Sequence, residues 1–168
     1  ATTATVLNVE AITGGAGIDV LNLGDQMTGG TVDLSGGRDQ ITLANADNTL
    51  TATSVETIIG NAGSDTVTLG AALTSGTVDL GAGVDRLTLA AAGATVTVAN
   101  TETVSGGAGD DRIVLTTAAD NLSVDLAGGT DQLELTDALN TLTVASVETL
   151  TGGNTTDLIT VNGALASG

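Results

Sequence analysis

The chain has 168 residues with no Phe, Tyr, Trp, Pro, Cys or His; 24 are Gly, and the apolar residues are nearly all Ala, Val, Leu and Ile. Twenty acids stand against three bases, Arg38, Arg86 and Arg112, for a formal charge of −17. That balance argues against nucleic acid and against anionic membrane surfaces, since both need Lys and Arg, and without aromatic rings a thick two-layer core is excluded in favour of a narrow one.

The chain is a tandem repeat. Glu10, Glu56, Glu102 and Glu148 are each 46 residues apart (56 − 10), as are Asp19, Asp65, Asp111 and Asp157. Asp39, Asp85 and Asp131 keep the same spacing, and so do Asp33, Asp79 and Asp125. No gap breaks the register. One domain spans 1–168, with repeats at about 1–46, 47–92, 93–138 and a partial 139–168.

Within a repeat, a long turn, Gly14-Gly15-Ala16-Gly17-Ile18-Asp19, leads into the strand Val20-Leu21-Asn22-Leu23. Val32 and Leu34 then alternate with Asp33 in a second strand. A shorter turn, Gly36-Gly37-Arg38-Asp39, leads into Gln40-Ile41-Thr42-Leu43, and Leu50 and Ala52 mark one further short strand. Period-two alternation puts Leu21, Leu23, Ile41, Leu43, Val67, Leu69, Leu87, Leu89, Ile113, Leu115, Leu133 and Leu135 on the inner face. Ile159 and Val161 follow in the last repeat.

Two-residue hairpin turns are missing, so equivalent strands should run parallel in stacked coils. A single coil cannot bury its apolar face, whereas a stack forms a continuous narrow core. The expected fold is all-β, a right-handed parallel β-solenoid with about two coils per repeat. An antiparallel sandwich is the alternative, but it would not require an ungapped repeat.

Stacking would place Asp19, Asp39, Asp65, Asp85, Asp111, Asp131 and Asp157 along one edge. A second column, from Glu10, Asp33, Glu56, Asp79, Glu102, Asp125 and Glu148, would join the strands before the turns. Charges about 4.8 Å apart repel by about 0.9 kcal/mol even in water. Cations between them would remove that cost. Calcium takes six to eight oxygens, and glycine turns can aim carbonyls at one point. The alternative is that each Asp merely hydrogen-bonds its own turn.

Gly14-Gly15-Ala16-Gly17-Ile18-Asp19-Val20-Leu21-Asn22 and Gly106-Gly107-Ala108-Gly109-Asp110-Asp111-Arg112-Ile113-Val114 fit GGxGxDxUx, where U is a large apolar residue. This resembles the nonapeptide of the repeats-in-toxin, or hemolysin-type calcium-binding, family. The resemblance implies calcium held between turns by the seven turn Asp residues and by Gly14, Gly15, Gly17, Gly106, Gly107 and Gly109. It also implies export from a Gram-negative bacterium and folding in extracellular calcium. The motif is complete only twice: Asn61 replaces its second Gly, Thr155 its third, and the shorter turns lack two residues. The opposite edge, as at Gly70-Ala71-Ala72-Leu73-Thr74-Ser75-Gly76, carries no such motif, so one edge at most should bind ions.

Catalysis finds no support. No His, Cys, Lys or Tyr is available as a base or nucleophile near neutral pH, and fourteen of the twenty acids recur with the repeat instead of marking one cleft. Thr3 and Thr5, Thr49 and Thr51, Thr95 and Thr97, and Thr141 and Thr143 form a Thr-x-Thr pair in every repeat. Such arrays occur in ice-binding solenoids, but pairs once per two coils would leave rows about 9.6 Å apart.

The expected function is a calcium-binding structural segment of a secreted adhesin, surface-layer or extracellular fibre protein. The export or folding domain of a secreted enzyme or toxin is the alternative, and ice binding a third. No apolar run approaches a membrane span. The opening Ala1-Thr2-Thr3-Ala4-Thr5 is no signal peptide, so any export signal is expected elsewhere. The chain starts and stops inside a repeat, so continuation into further repeats or end-to-end self-association is expected.

Overall fold

The computed structural model describes residues 1–163 and contains strands and turns, with no helix among them. The expected end inside a repeat at Leu165-Ala166-Ser167-Gly168 lies outside the described residues. Nine strands form one sheet: β1 (Thr2–Val6), β3 (Asp19–Leu23), β5 (Gln40–Thr42), β7 (Thr57–Ile59), β9 (Gly76–Asp79), β11 (Thr95–Ala99), β13 (Arg112–Leu115), β15 (Gln132–Glu134) and β17 (Thr149–Thr151). The nine between them form the other: β2 (Ala11–Thr13), β4 (Thr28–Asp33), β6 (Thr49–Thr53), β8 (Thr66–Leu69), β10 (Arg86–Thr88), β12 (Thr103–Ser105), β14 (Asp120–Asp125), β16 (Thr141–Ala145) and β18 (Leu158–Val161).

The chain alternates between the sheets strand by strand, and every pairing is parallel. This is the expected parallel β-solenoid. Nine strands at about 4.8 Å make a stack about 38 Å long. The core is one apolar column between the sheets. Ile41, Ile58, Val67, Val78, Leu80, Leu87, Ile113 and Leu126 are all at 0 % exposure. The expected inner-face residues are buried, apart from Ile159, which is partly buried, and Val161, which is exposed in the last strand.

A repeat occupies about two coils, and more closely two and a half. From β3, starting at Asp19, to β8, following Asp65, is five strands, an odd number. Equivalent residues 46 apart therefore fall in opposite sheets and on opposite edges. Asp19 and Asp111 stand at odd-numbered strands, Asp65 and Asp157 before even-numbered ones. Two expectations are corrected by this half-turn. The turn Asp residues do not share one edge, and glycine turns occupy both edges.

The threonine pairs alternate too. Thr3 and Thr95 belong to one sheet, Thr49 and Thr141 to the other. The coils between them carry hydroxyl residues in the same rows: on the even-numbered sheet Thr31, Thr51, Thr68, Thr88 and Ser105 are successive neighbours. The expected wide spacing of those rows does not hold.

Candidate metal sites

Most turns deliver their last residue to the start of a strand, where its backbone N–H points along the stack to the next coil and a side-chain oxygen accepts it. Glu56, Glu102 and Glu148 donate instead to the backbone carbonyls of Asp39, Asp85 and Asp131 in the preceding coil. On one edge Met27 donates to Asn48 Oδ1 (3.1 Å), Asn48 to Asp65 Oδ1 (2.9 Å), Asp65 to Asp85 Oδ1 (2.7 Å) and Asp85 to Glu102 Oε2 (2.7 Å). On the other edge Asp19 donates to Asp39 (2.7 Å), and Asp39 to Glu56 (2.8 Å). Further along that edge, Ala94 donates to Asp111, Asp111 to Asp131 and Asp131 to Glu148, each at 2.7 Å. Asn140 donates to Asp157 at 3.1 Å.

These runs replace the two expected columns. Glu56, Glu102 and Glu148 belong to the turn Asp runs, each completing one. Asp33, Asp79 and Asp125 lie instead at strand ends, where Asp33 and Asp125 accept the N–H of Ser35 and Ala127. Glu56, Glu102 and Glu148 stand directly before β7, β12 and β17, as the turn Asp residues stand at the start of their strands, whereas Asp33, Asp79 and Asp125 end β4, β9 and β14.

Asn48 and Asn140 were not singled out from sequence, yet both are at 0 % exposure. Asn48 Nδ2 donates to the Ala44 and Ala46 carbonyls and to Asp65 Oδ1. Asn140 makes the same bonds to Thr136, Ala138 and Asp157. Their spacing of 92 (140 − 48) was the available signal, hidden because Ala94 holds the intervening position. Asp47, Asp110 and Asp137 were also missed. They form an outer tier that accepts the N–H groups of Ser64, Thr130 and Asn154.

The second carboxylate oxygen divides the sites. In the two complete motifs Gly15 N–H donates to Asp19 Oδ2 (3.1 Å) and Gly107 N–H to Asp111 Oδ2 (3.2 Å). Where Asn61 replaces the second glycine, it adopts a positive φ of 70°. Asp65 Oδ2 there has no partner. Asp39, Asp85 and Asp131 Oδ2 are likewise buried and unpartnered. These four residues are at most 1 % exposed. Gly14, Gly106 and Gly152 lie against the Oδ2 atoms of Asp19, Asp111 and Asp157, where a Cβ would come within 2.9, 2.6 and 3.0 Å. Glycine at those positions lets the carboxylate fold back under its turn.

Charge compensation is absent around these groups. Among the described residues the one ion pair is Arg112 with Glu134 at 2.8 Å, and it is half exposed. Burial raises the carboxyl of Asp85 to about 6, against the hydrogen bond from Asp65 and with the charges of Asp65, Glu102 and Asp47 adding to it. Burial also raises Asp65, Asp111 and Asp131. Asp19 moves the other way, lowered chiefly by the Gly15 N–H.

A buried carboxylate oxygen without a donor costs free energy unless a proton, water or cation meets it. Among the described residues no three acidic side chains converge on one point. A cation at Oδ2 would therefore draw its other oxygens from turn carbonyls. The carbonyls of Gly17 and Gly109 face the turn of the next coil, where a Cβ on Gly37 or Gly129 would come within 2.6 Å of them. Gly63 and Gly83 repeat the arrangement. Among the described residues no helix is long and apolar enough to cross a membrane. In comparisons with family models, curated proteins and solved structures, nothing matches.

Proposed function

We propose that this solenoid is a calcium-stiffened structural segment of a secreted or surface-exposed bacterial protein. The observation that carries the reading is the set of buried, unpartnered oxygens at Asp39, Asp65, Asp85 and Asp131 in a chain of charge −17. Calcium would supply positive charge where, among the described residues, no Arg pairs with these carboxylates. The paired turns Asp19/Asp39, Asp65/Asp85 and Asp111/Asp131 would hold it together with the carbonyls of Gly17, Gly63 and Gly109. The chain's own work is to stack those turns in register and keep water from the carboxylates.

The role we assign is mechanical. Folding one coil on the next makes a rod whose length grows with repeat number, suited to an adhesin stalk, a surface layer or an extracellular fibre. No catalytic role is proposed, because fourteen of the twenty acids recur with the repeat and among the described residues no three acidic side chains converge on one point.

Far-UV circular dichroism and melting in calcium and in excess chelator test the reading. A ligand that binds only the native state raises its stability by about 2.7 kcal/mol at a hundredfold excess over its Kd, so the melting temperature should fall sharply on chelation. Identical spectra and melting in both conditions would leave the carboxylates as acceptors for backbone N–H groups and nothing more.

A further inference from the structure

Asn48 and Asn140 each close a turn of the stack with one side-chain amide. Asn48 Oδ1 accepts the Met27 N–H at 3.1 Å, while Nδ2 donates to the Ala46 carbonyl at 2.7 Å and to Asp65 Oδ1 at 2.8 Å. Asn140 makes the same set with the Ala119 N–H (3.0 Å), the Ala138 carbonyl (2.7 Å) and Asp157 Oδ1 (2.9 Å). A carboxamide suits the place because it carries an acceptor and two donors on neighbouring atoms.

The equivalent residue between them is Ala94, buried in the turn before β11. It is not an isolated change. Gln26, Asp47 and Asn48 of the first repeat correspond to Ala72, Gly93 and Ala94, so three polar side chains are cut back around one turn. In the first repeat Gln26 Nε2 donates to the Asp47 carbonyl, and Asp47 Oδ1 accepts the Ser64 N–H at 2.7 Å. Ala72 and Gly93 can make neither bond.

The backbone around the turn is kept. The Ala94 N–H donates to Asp111 Oδ1 at 2.7 Å, as the Asn48 N–H does to Asp65 Oδ1. A cavity of about 240 Å³ opens here, lined in part by Ala72, Leu73, Ala92, Gly93, Ala94 and Asp110. The Leu73 N–H and the Ala92 carbonyl are the counterparts of the Met27 N–H and the Ala46 carbonyl. Among the described residues no hydrogen bond reaches either of them. The Ala90 carbonyl, counterpart of that of Ala44, is met by the Gly93 N–H at 3.2 Å.

We propose that the Ala94 turn is a binding site for a primary carboxamide, free or on an Asn or Gln side chain. Its oxygen accepts the Leu73 N–H. Its NH2 donates to the Ala92 carbonyl, with Asp111 Oδ1 as second acceptor in the place of Asp65 Oδ1. A bare cation would suit the carbonyl and the carboxylate but is repelled by the N–H. An anion would meet the N–H but is repelled by Asp110 and Asp111. The molecule fills the two sister positions with this same group, which is what assigns the ligand class. The site belongs to one turn of the three, because Asn48 and Asn140 occupy the others. It lies between β10 and β11, in the middle of the stack, and does not depend on what the carboxylate Oδ2 atoms bind.

The test is an NMR titration of the chain in calcium, read at the backbone amides. Acetamide is the probe for a free amide and doubly capped glutamine the probe for a side chain. A saturable downfield shift of the Leu73 amide is expected with at least one of them, and the one that produces it names the source. The amides of Met27 and Ala119, whose acceptors are Asn48 and Asn140, should stay in place and serve as controls within the same molecule. Ala94→Asn should abolish the response. Acetate and methylammonium, each with half of the required chemistry, should not reproduce it. No saturable shift at Leu73 with either probe, equal shifts at Met27 and Ala119, or a response that survives Ala94→Asn would overturn the site. The same response to either ion would overturn its assignment to a carboxamide.

Discussion

The backbone N–H of Asp65 donates to Asp85 Oδ1 at 2.7 Å, one coil further along the stack, while Oδ2 of both residues is buried without a partner. One oxygen holds coils together and the other has no hydrogen-bond donor from the chain. That division has consequences for pH, mutation and length.

Without divalent cations, stability should rise as the pH falls from 7 towards 4. The Asp85 carboxyl is raised to about 6 in the fold from an ordinary value of 3.8. A carboxyl raised on folding binds its proton more tightly in the native state, so its contribution is present at low pH and is lost as pH rises through about 6. Asp65, Asp111 and Asp131 act in the same direction. Melting in chelator at pH 5 and pH 7 checks this; a lower melting temperature at pH 5 would count against it. Calcium should stabilise less at pH 5, because protons compete for the same oxygens.

Asp111→Ala should weaken calcium binding more than Asp33→Ala. Asp111 is 1 % exposed and sits between Ala94 and Asp131 in its run. Asp33 is exposed at a strand end and accepts one local N–H from Ser35. Calorimetric titration of the two variants decides the order, and the reverse order would move the ions to the strand ends.

How much of this was legible from sequence depends on which residue is asked about. The solenoid and its inner face were legible because Leu21, Ile41, Val67 and their kin alternate with polar residues, and period two is a property of strands wherever they lie. The edges were not. Asp19 and Asp65 recur at a fixed spacing, but spacing alone does not tell an even from an odd number of strands, and five strands put them on opposite edges. Asn48 was not legible as a structural plug because an isolated Asn in a turn reads as solvent-facing. Only the fold brings Ala44, Ala46 and Asp65 around its amide.

Asn48→Ala should cost about 2–3 kcal/mol, since it leaves the Ala46 carbonyl and the Met27 N–H without their present partner in a buried place and the Ala44 carbonyl with the Ala46 N–H alone. Asn45→Ala, in the same turn but exposed, serves as the control. Chemical denaturation of both in calcium measures the difference; equal midpoints would mean that water satisfies those groups.

Gly37→Ala should destabilise while Gly36→Ala should be nearly neutral. A Cβ on Gly37 would lie 2.6 Å from the Gly17 carbonyl oxygen and 2.7 Å from Asp39 Oδ1, whereas one on Gly36 meets nothing within 4 Å. Overpacking of this kind costs about 1–3 kcal/mol. The readout is again the denaturation midpoint, and similar midpoints for the two would contradict the close packing of the turns.

Deleting Thr66–Asp111, one whole repeat (111 − 65 = 46), should preserve the fold, because Arg112 then follows Asp65 as Thr66 did, with a half-turn exchange of faces. Deleting one coil, Val20–Asp39, should be far more disruptive, since it sets β1 and β2 against β5 and β6, strand positions of the repeat that pair nowhere in the stack. Circular dichroism and melting of the two deletions compare them. A one-coil deletion that melts as high as the repeat deletion would contradict the half-turn repeat.

The most direct measurement is a crystal structure determined in calcium, with the anomalous signal of the ion located. Density with six to eight oxygens at about 2.3–2.6 Å is expected beside Asp65 and Asp85 Oδ2, and again at Asp39 and Asp131. Ordered water at those oxygens, with no anomalous peak in saturating calcium, would contradict the assignment of the carboxylate runs as calcium sites.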